Sequence, residues 1–225
     1  MATEQHVLIP VAGDSIAATW TVPMSPRGVV ALARRSGDEL LAARSDMIAR
    51  ELGAAGFATL SACLLTPEEE HLDDETAELR FDIPLLAGRL VDAIDWLLQG
   101  EGRGLPLGLF GASNESAAAL LGASQRPAVV RAVVSRGGRP DLAGAALARV
   151  QAPVLLIVGA RDDVVVGLNQ RARAQLRSES ELALVPDATN LFPEPGALEQ
   201  VSALACSWFE RHLLDGGAHA PLHAH

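Results

Sequence analysis

Six short apolar runs recur along the chain, and a stretch with helical character follows each of them. The runs are Gly28–Ala33, Phe57–Leu65, Leu105–Phe110, Val129–Ser135, Val154–Val158 and Leu182–Val185. Gly28–Ala33 is the clearest, because it lacks the polar alternation of a half-exposed strand and so reads as buried on both faces. The stretches between the runs are Leu40–Ala55, Glu75–Gln99, Ser113–Ala123, Leu142–Arg149, Val164–Leu176 and Ala197–Leu213. In the second, Leu79, Ile83, Leu86, Leu90, Ile94 and Leu97 form one stripe, and Pro84 predicts a break or kink. Gly56 follows the first stretch as a plausible C-terminal stop. Strands alternating with helices predict an α/β protein with a mostly parallel central sheet and helices on both faces. Ahead of them, Val7–Val11 and Ile16–Val22 flank Gly13-Asp14, a hairpin signal that adds an antiparallel edge.

At 225 residues and 49% apolar content, the chain suits one domain over residues 1–213, with 214–225 as a Gly/Ala/His tail. It has no run of 18 uncharged apolar residues and no basic start followed by an apolar stretch, so neither a membrane span nor a signal peptide is expected. Cys63 and Cys206 give no disulfide framework, and a cytoplasmic location is expected. The net charge of −10 argues against nucleic acid or anionic membrane as partner but does not identify one; a small-molecule substrate or ligand is expected. No cofactor is expected. No metal site is expected either, since His219, His223 and His225 match no zinc spacing.

The chemistry concentrates at residues 107–118, where an apolar strand runs into Gly111-Ala112-Ser113-Asn114-Glu115 and an alanine-rich helix follows. That is the strand–turn–helix context of a nucleophile elbow, with Ser113 at its apex. The alternative is that Ser113 is merely a small residue that fits the turn. A helix N-terminus there suits an anion or carbonyl oxygen, with the Asn114 N–H as donor. Glu115 is either a replacement base in an apolar cleft or a first-turn acid facing the helix dipole. Arg34 and Arg35 end a buried strand; they either bind an acidic ligand group or pair with Asp38, Glu39 or Glu115. Asp162 is either a site acid or the cap of the helix starting near Val164. His71, on a loop after a strand, is either the one histidine placed to approach the site or a solvated residue. Cys63 reads as an ordinary thiol.

The chain resembles the dienelactone-hydrolase branch of the α/β-hydrolase superfamily over about residues 5–213. The likeness is carried by Leu64-Leu65-Thr66-Pro67-Glu68-Glu69-Glu70, Thr76-Ala77-Glu78-Leu79-Arg80-Phe81-Asp82 and Phe110-Gly111-Ala112-Ser113. It continues in Val134-Ser135-Arg136-Gly137-Gly138-Arg139-Pro140-Asp141, Gly159-Ala160-Arg161-Asp162 and Leu191-Phe192-Pro193-Glu194-Pro195-Gly196. The resemblance implies an α/β-hydrolase fold and a triad of nucleophile, aspartate and histidine at Ser113, Asp162 and position 190. Position 190 is Asn190, whose amide takes up no proton near neutral pH. The family pattern also has a small residue where this chain has Glu115. It has a His-Gly loop where this chain has Arg34-Arg35 followed by Ser36-Gly37-Asp38-Glu39. These changes fall at the carboxyl ends of the strands, where α/β folds bind ligands, while the scaffold segments are kept. The expectation is a degenerate triad and a reworked pocket for a small anionic or carbonyl-bearing molecule. Acyl transfer, a lyase step, cyclisation or isomerisation would suit such a pocket. The alternative is a non-catalytic pseudo-hydrolase that binds a ligand or a protein partner.

Overall fold

A computed structural model describes residues 2–35 and 39–214, with the backbone alone for 39–41. The opening hairpin joins β1 (Thr3–Val11) to β2 (Asp14–Val22) in antiparallel register, Val11 facing Asp14. Gly13 takes φ +79° in the two-residue turn, a left-handed conformation that glycine reaches without strain. The remaining strands are β3 (Gly28–Arg34), β4 (Phe57–Cys63), β5 (Leu107–Ala112), β6 (Val130–Arg136), β7 (Val154–Gly159) and β8 (Ser180–Val185). The sheet order is β1-β2-β4-β3-β5-β6-β7-β8. Only the pairs β1–β2 and β2–β4 are antiparallel, so the hairpin forms the expected edge of an otherwise parallel sheet.

The period-2 geometry of the strands divides the core in two. On β3, Val29, Ala31 and Ala33 face one side while Val30 and Leu32 face the other. The first side is covered by α3 (Ile83–Gln99), α4 (Glu115–Gln125) and α5 (Asp163–Arg173), which contribute Leu90, Ile94, Ala118, Leu120 and Ala172. The second is covered by α1 (Glu39–Ala54) and α6 (Ala197–Phe209), through Ile48, Leu52, Val201, Trp208 and Phe209. A π-helical turn, Glu210–Leu214, extends α6 and buries Leu213. No described helix is long and apolar enough to cross a membrane.

Two sequence expectations are corrected here. The stretch read as one helix from Glu75 to Gln99 is divided into the end of α2 (Pro67–Thr76), a 3₁₀ turn at Leu79–Phe81, and α3. Ala77 ends α2 in the left-handed region at φ 57°, and the Asp82 carboxylate accepts the Leu85 N–H at 3.0 Å to start α3. Pro84 therefore lies in the first turn of α3, where its missing N–H costs nothing. The segment around His71 is helix, not loop. Thr66 and Glu69 form a reciprocal capping box, with Thr66 Oγ1 accepting the Glu69 N–H at 3.2 Å and Glu69 Oε2 accepting the Thr66 N–H at 2.9 Å.

Candidate active site

Ser113 sits between β5 and α4 with φ 50°, a conformation that non-glycine residues seldom adopt and that marks a sharp strand-to-helix turn. The turn packs tightly. A Cβ on Gly111 would lie 2.5 Å from the Glu115 carbonyl oxygen and 2.6 Å from Ser116 Cα. The apex is tied down by three hydrogen bonds. Ser113 N–H donates to the Arg136 carbonyl at 3.3 Å, while its own carbonyl accepts from Arg139 N–H at 3.0 Å and from Ser116 Oγ at 2.5 Å. Asn114 does not cap α4 with its side chain, which instead donates to the Arg80 carbonyl at 2.9 Å. Its backbone N–H belongs to the first turn of the helix, whose donors have no intrahelical acceptor.

A cavity of about 210 Å³ opens at this elbow, walled by Arg34, Arg35, Arg80, Ser113, Glu115 and Arg136 among others. Arg34 Nη1 donates to Asp46 on α1 at 2.8 Å, and Arg35 Nη1 to Asp73 on α2 at 3.2 Å. Among the described residues, these are the acidic partners of the pair. Asp38 and the Glu39 side chain, which sequence suggested as alternatives, lie outside the described part. Asp73 is 1% exposed and accepts the Arg80 N–H and Nε, each at 2.8 Å, besides Arg35. Arg136 is 2% exposed, and its Nη1 has no hydrogen-bond partner among the described residues. Burial pulls its pKa down to about 10, the neighbouring Arg44 charge adds to the fall, and Glu115 opposes it. Glu115 is 7% exposed, and burial pushes its carboxyl up to about 7 against the pull of its own N–H, Arg35 and Arg136.

Asp162 and Asn190 line a second hollow of about 630 Å³, with Arg44, Arg161 and Thr189. Asp162 Oδ1 accepts the Val165 N–H at 3.0 Å and so caps α5. The loop bearing Asn190 is folded on itself by Glu194, whose Oε1 accepts Thr189 N–H at 3.0 Å and Thr189 Oγ1 at 2.7 Å. Asn190 Oδ1 is buried without a partner among the described residues, at the place where a Cβ on Gly137 would come within 2.7 Å of it. Ser113 and Asn190 thus flank the same Arg136-Gly137 segment at the end of β6, the first bonded to Arg136 and the second packed on Gly137. They share one end of the sheet, as the fold reading requires.

The structure therefore brings Ser113, Asn114, Glu115, Arg34 and Arg35 to one cavity, with Asp162 and Asn190 beside it. His71 stands apart. Its side chain is 83% exposed on α2, 3.7 Å from Glu75, and lines neither hollow. Cys63, at the end of β4, lines a different groove with His6 and Leu8. The three tail histidines fall outside the described residues, and those described contain no group of three residues able to hold a metal ion. Arg44, Ser45, Asp73, Arg80 and Arg136 join the site with no local motif to announce them. Arg136 and Arg80 do lie inside segments that carry the family resemblance, which was the one available signal.

No protein-family model matches the chain. Two curated proteins from different strains of Mycobacterium tuberculosis, each named "Putative phosphoribosyl transferase", are 52% identical over 210 residues. That match takes in 93% of this chain and 45% of theirs, so the chain spans about half the length of these relatives. The crystal structure of a dienelactone hydrolase from Anabaena variabilis superposes with a TM-score of 0.90 at 46% identity, covering 94% of this chain and 99% of that one. A dienelactone hydrolase-like promiscuous phosphotriesterase from metagenomic libraries shares the fold at a TM-score of 0.70 and 19% identity, covering 94% and 98%. With a solved relative matched at 46% identity over nearly its whole length, the chain belongs to the dienelactone-hydrolase family of α/β-hydrolase-fold proteins.

Proposed function

We propose that this protein is an enzyme that acts, without a Ser-His-Asp relay, on a small anionic or carbonyl-bearing molecule held in the elbow cavity. One observation carries the reading: Ser113 at the strained turn and Glu115, a buried carboxyl near neutrality, open onto the same arginine-walled space. A carboxyl with a pKa near the working pH suits general acid–base chemistry. Ser113 Oγ and the Asn114 N–H would hold a carbonyl oxygen, Arg34 or Arg35 would meet an acidic group, and Glu115 would move the proton. Asp162 serves as a cap, and His71 stands away from the cavity, so Glu115 is the better placed of the acid–base candidates. Acyl transfer, a lyase step, cyclisation and isomerisation all fit this set, because the fold hosts many chemistries.

A non-catalytic binder is the second reading, favoured by Asp162 being engaged as a cap and by Asn190 standing where a base is needed. A fluorophosphonate probe combined with a screen of small carbonyl and acidic compounds separates the two. The enzyme reading expects turnover that falls on changing Ser113, Glu115, Arg34 or Asp162 to Ala in at least one case. Saturable binding with no turnover, indifferent to Ser113→Ala, would establish the binder instead.

A further inference from the structure

We propose that the elbow cavity seats the oxyanion group of a small acidic ligand on the buried Arg136 guanidinium, and that protonation of Glu115 gates this binding. The inference rests on the pocket reading above and gives it a ligand chemistry and a control.

The first observation is a donor without an acceptor. Arg136 Nη1 is buried and unpartnered among the described residues, although an unpaired buried cationic donor is costly to keep. Its position is set by β6, whose last residue it is, and its side chain walls the cavity at the N-terminus of α4. An arginine fork and the free N–H groups of a helix start both favour an oxyanion, and here they meet.

The second observation is the charge around them. Arg34 at the end of β3 and Arg35 just after it line the cavity, as does Arg80 from the turn before α3. Their acidic neighbours are already engaged: Asp46 on α1 holds Arg34, while Asp73 on α2 holds Arg80 and Arg35. Arg44 on α1 adds a further positive charge that Arg136 feels. Glu115 is the one carboxylate among the described residues that walls the cavity itself. Ionised, it offsets the Arg136 charge and repels an incoming anion. Protonated, it leaves Arg136 open to the ligand. Burial brings the Glu115 carboxyl to about 7, so the two forms exchange across neutral pH. A space of about 210 Å³ is smaller than the roughly 300–1,000 Å³ of pockets for drug-sized ligands, and limits the occupant to a compact molecule.

Sulfate is a suitable probe, because it does not itself titrate between pH 6 and pH 8. A site competent only when Glu115 is protonated is about nine-tenths available at pH 6 and about one-tenth at pH 8, so affinity should fall about tenfold across that range. Calorimetry in two buffers of different ionisation enthalpy should show proton uptake on binding near pH 7.5, a readout that needs no variant. Glu115→Gln, which is isosteric and neutral, should flatten the profile and bind at pH 8 as the natural protein does at pH 6. Arg136→Gln, checked for an intact melting transition, should weaken binding at pH 6 at least tenfold, with Arg136→Lys between. Formate, planar and singly charged, run beside sulfate, tells whether the seat prefers a carboxylate or a tetrahedral group. Equal affinity at pH 6 and pH 8, or a pH dependence that survives Glu115→Gln, would overturn the gate. Undiminished binding by Arg136→Gln, or no binding of either anion at pH 6, would overturn the seat. The enzyme reading has its own test, turnover in the substrate screen and its loss in the alanine variants, so failure of the anion seat and failure of that reading are distinguishable.

Discussion

Three residues, Asn190, Glu115 and Arg35, carry the proposed departure of this site from a Ser-His-Asp hydrolase. Asn190 lines the same hollow as Asp162, so Asn190→His would place an imidazole where the family resemblance implies the triad histidine. That change alone is expected to give little esterase activity on small activated esters. Glu115 still crowds and charges the elbow, and Arg35, tied to Asp73, still stands where an oxyanion-binding loop is needed. Losing one oxyanion donor typically removes on the order of 10² to 10³ in rate. Combining Asn190→His with Glu115→Gly and Arg35→Gly should exceed the single change by at least about tenfold, and strong esterase activity from Asn190→His alone would show an intact site short of one side chain. Glu115 also carries a stability signature. Its folded pKa is raised from 4.5 to about 7, so the neutral form is favoured in the folded state. The associated stability is fully present below about pH 4.5 and is lost as pH rises through about 7. That rise corresponds to about 3 kcal/mol at roughly 1.4 kcal/mol per pH unit. Glu115→Gln should therefore gain on the natural protein by an amount of that order between pH 4.5 and pH 8, as read by urea denaturation. Parallel stability curves would show that Glu115 titrates normally.

Secondary-structure elements are held by caps that sequence displayed unevenly. Asp162 illustrates a residue whose structural and chemical readings predict different outcomes. As the cap of α5, Asp162→Ala should cost about 1 kcal/mol, whereas Asp162→Asn keeps an oxygen for the Val165 N–H and should cost only a few tenths. If Asp162 also serves turnover, the Asn variant loses activity at unchanged stability, and denaturation measured beside turnover separates the two roles. The Thr66/Glu69 box was legible as Thr-Pro-Glu-Glu, yet α2 has no apolar stripe because its exposed face is acidic, and periodicity alone passes over it. The same blindness placed His71 in a loop. Pro84 was read correctly as an interruption, but it begins α3 instead of bending a longer helix, since the Asp82 cap and Ala77 turn were not visible as a pair.

At the scale of the molecule, the sheet separates two cores whose side chains do not touch across it. Ile94 on α3 belongs to one and Ile48 on α1 to the other, both fully buried. Ile→Val at such positions typically costs about 0.5–1.5 kcal/mol. The two changes together should add to within about 0.5 kcal/mol, because they share no partner. A larger coupling energy in a double-mutant cycle would mean that strain passes through the sheet. Unlike α2, the succession of strands, most of the helices, the antiparallel edge and the elbow were readable in the chain, since local periodicity and turn residues dictate them. So were Ser113, Asn114 and Glu115, which are neighbours in sequence. Arg34 and Arg35 were readable as strand-end residues, but their partners Asp46 and Asp73 were not, being brought in from α1 and α2. The cavity's charge was likewise decided by tertiary structure alone. Arg80 and Arg136 meet Glu115 only when β5 lies beside β6 and α2 folds over the strand ends. Local sequence sets backbone conformation residue by residue, whereas burial and charge depend on what the remote chain places around each group.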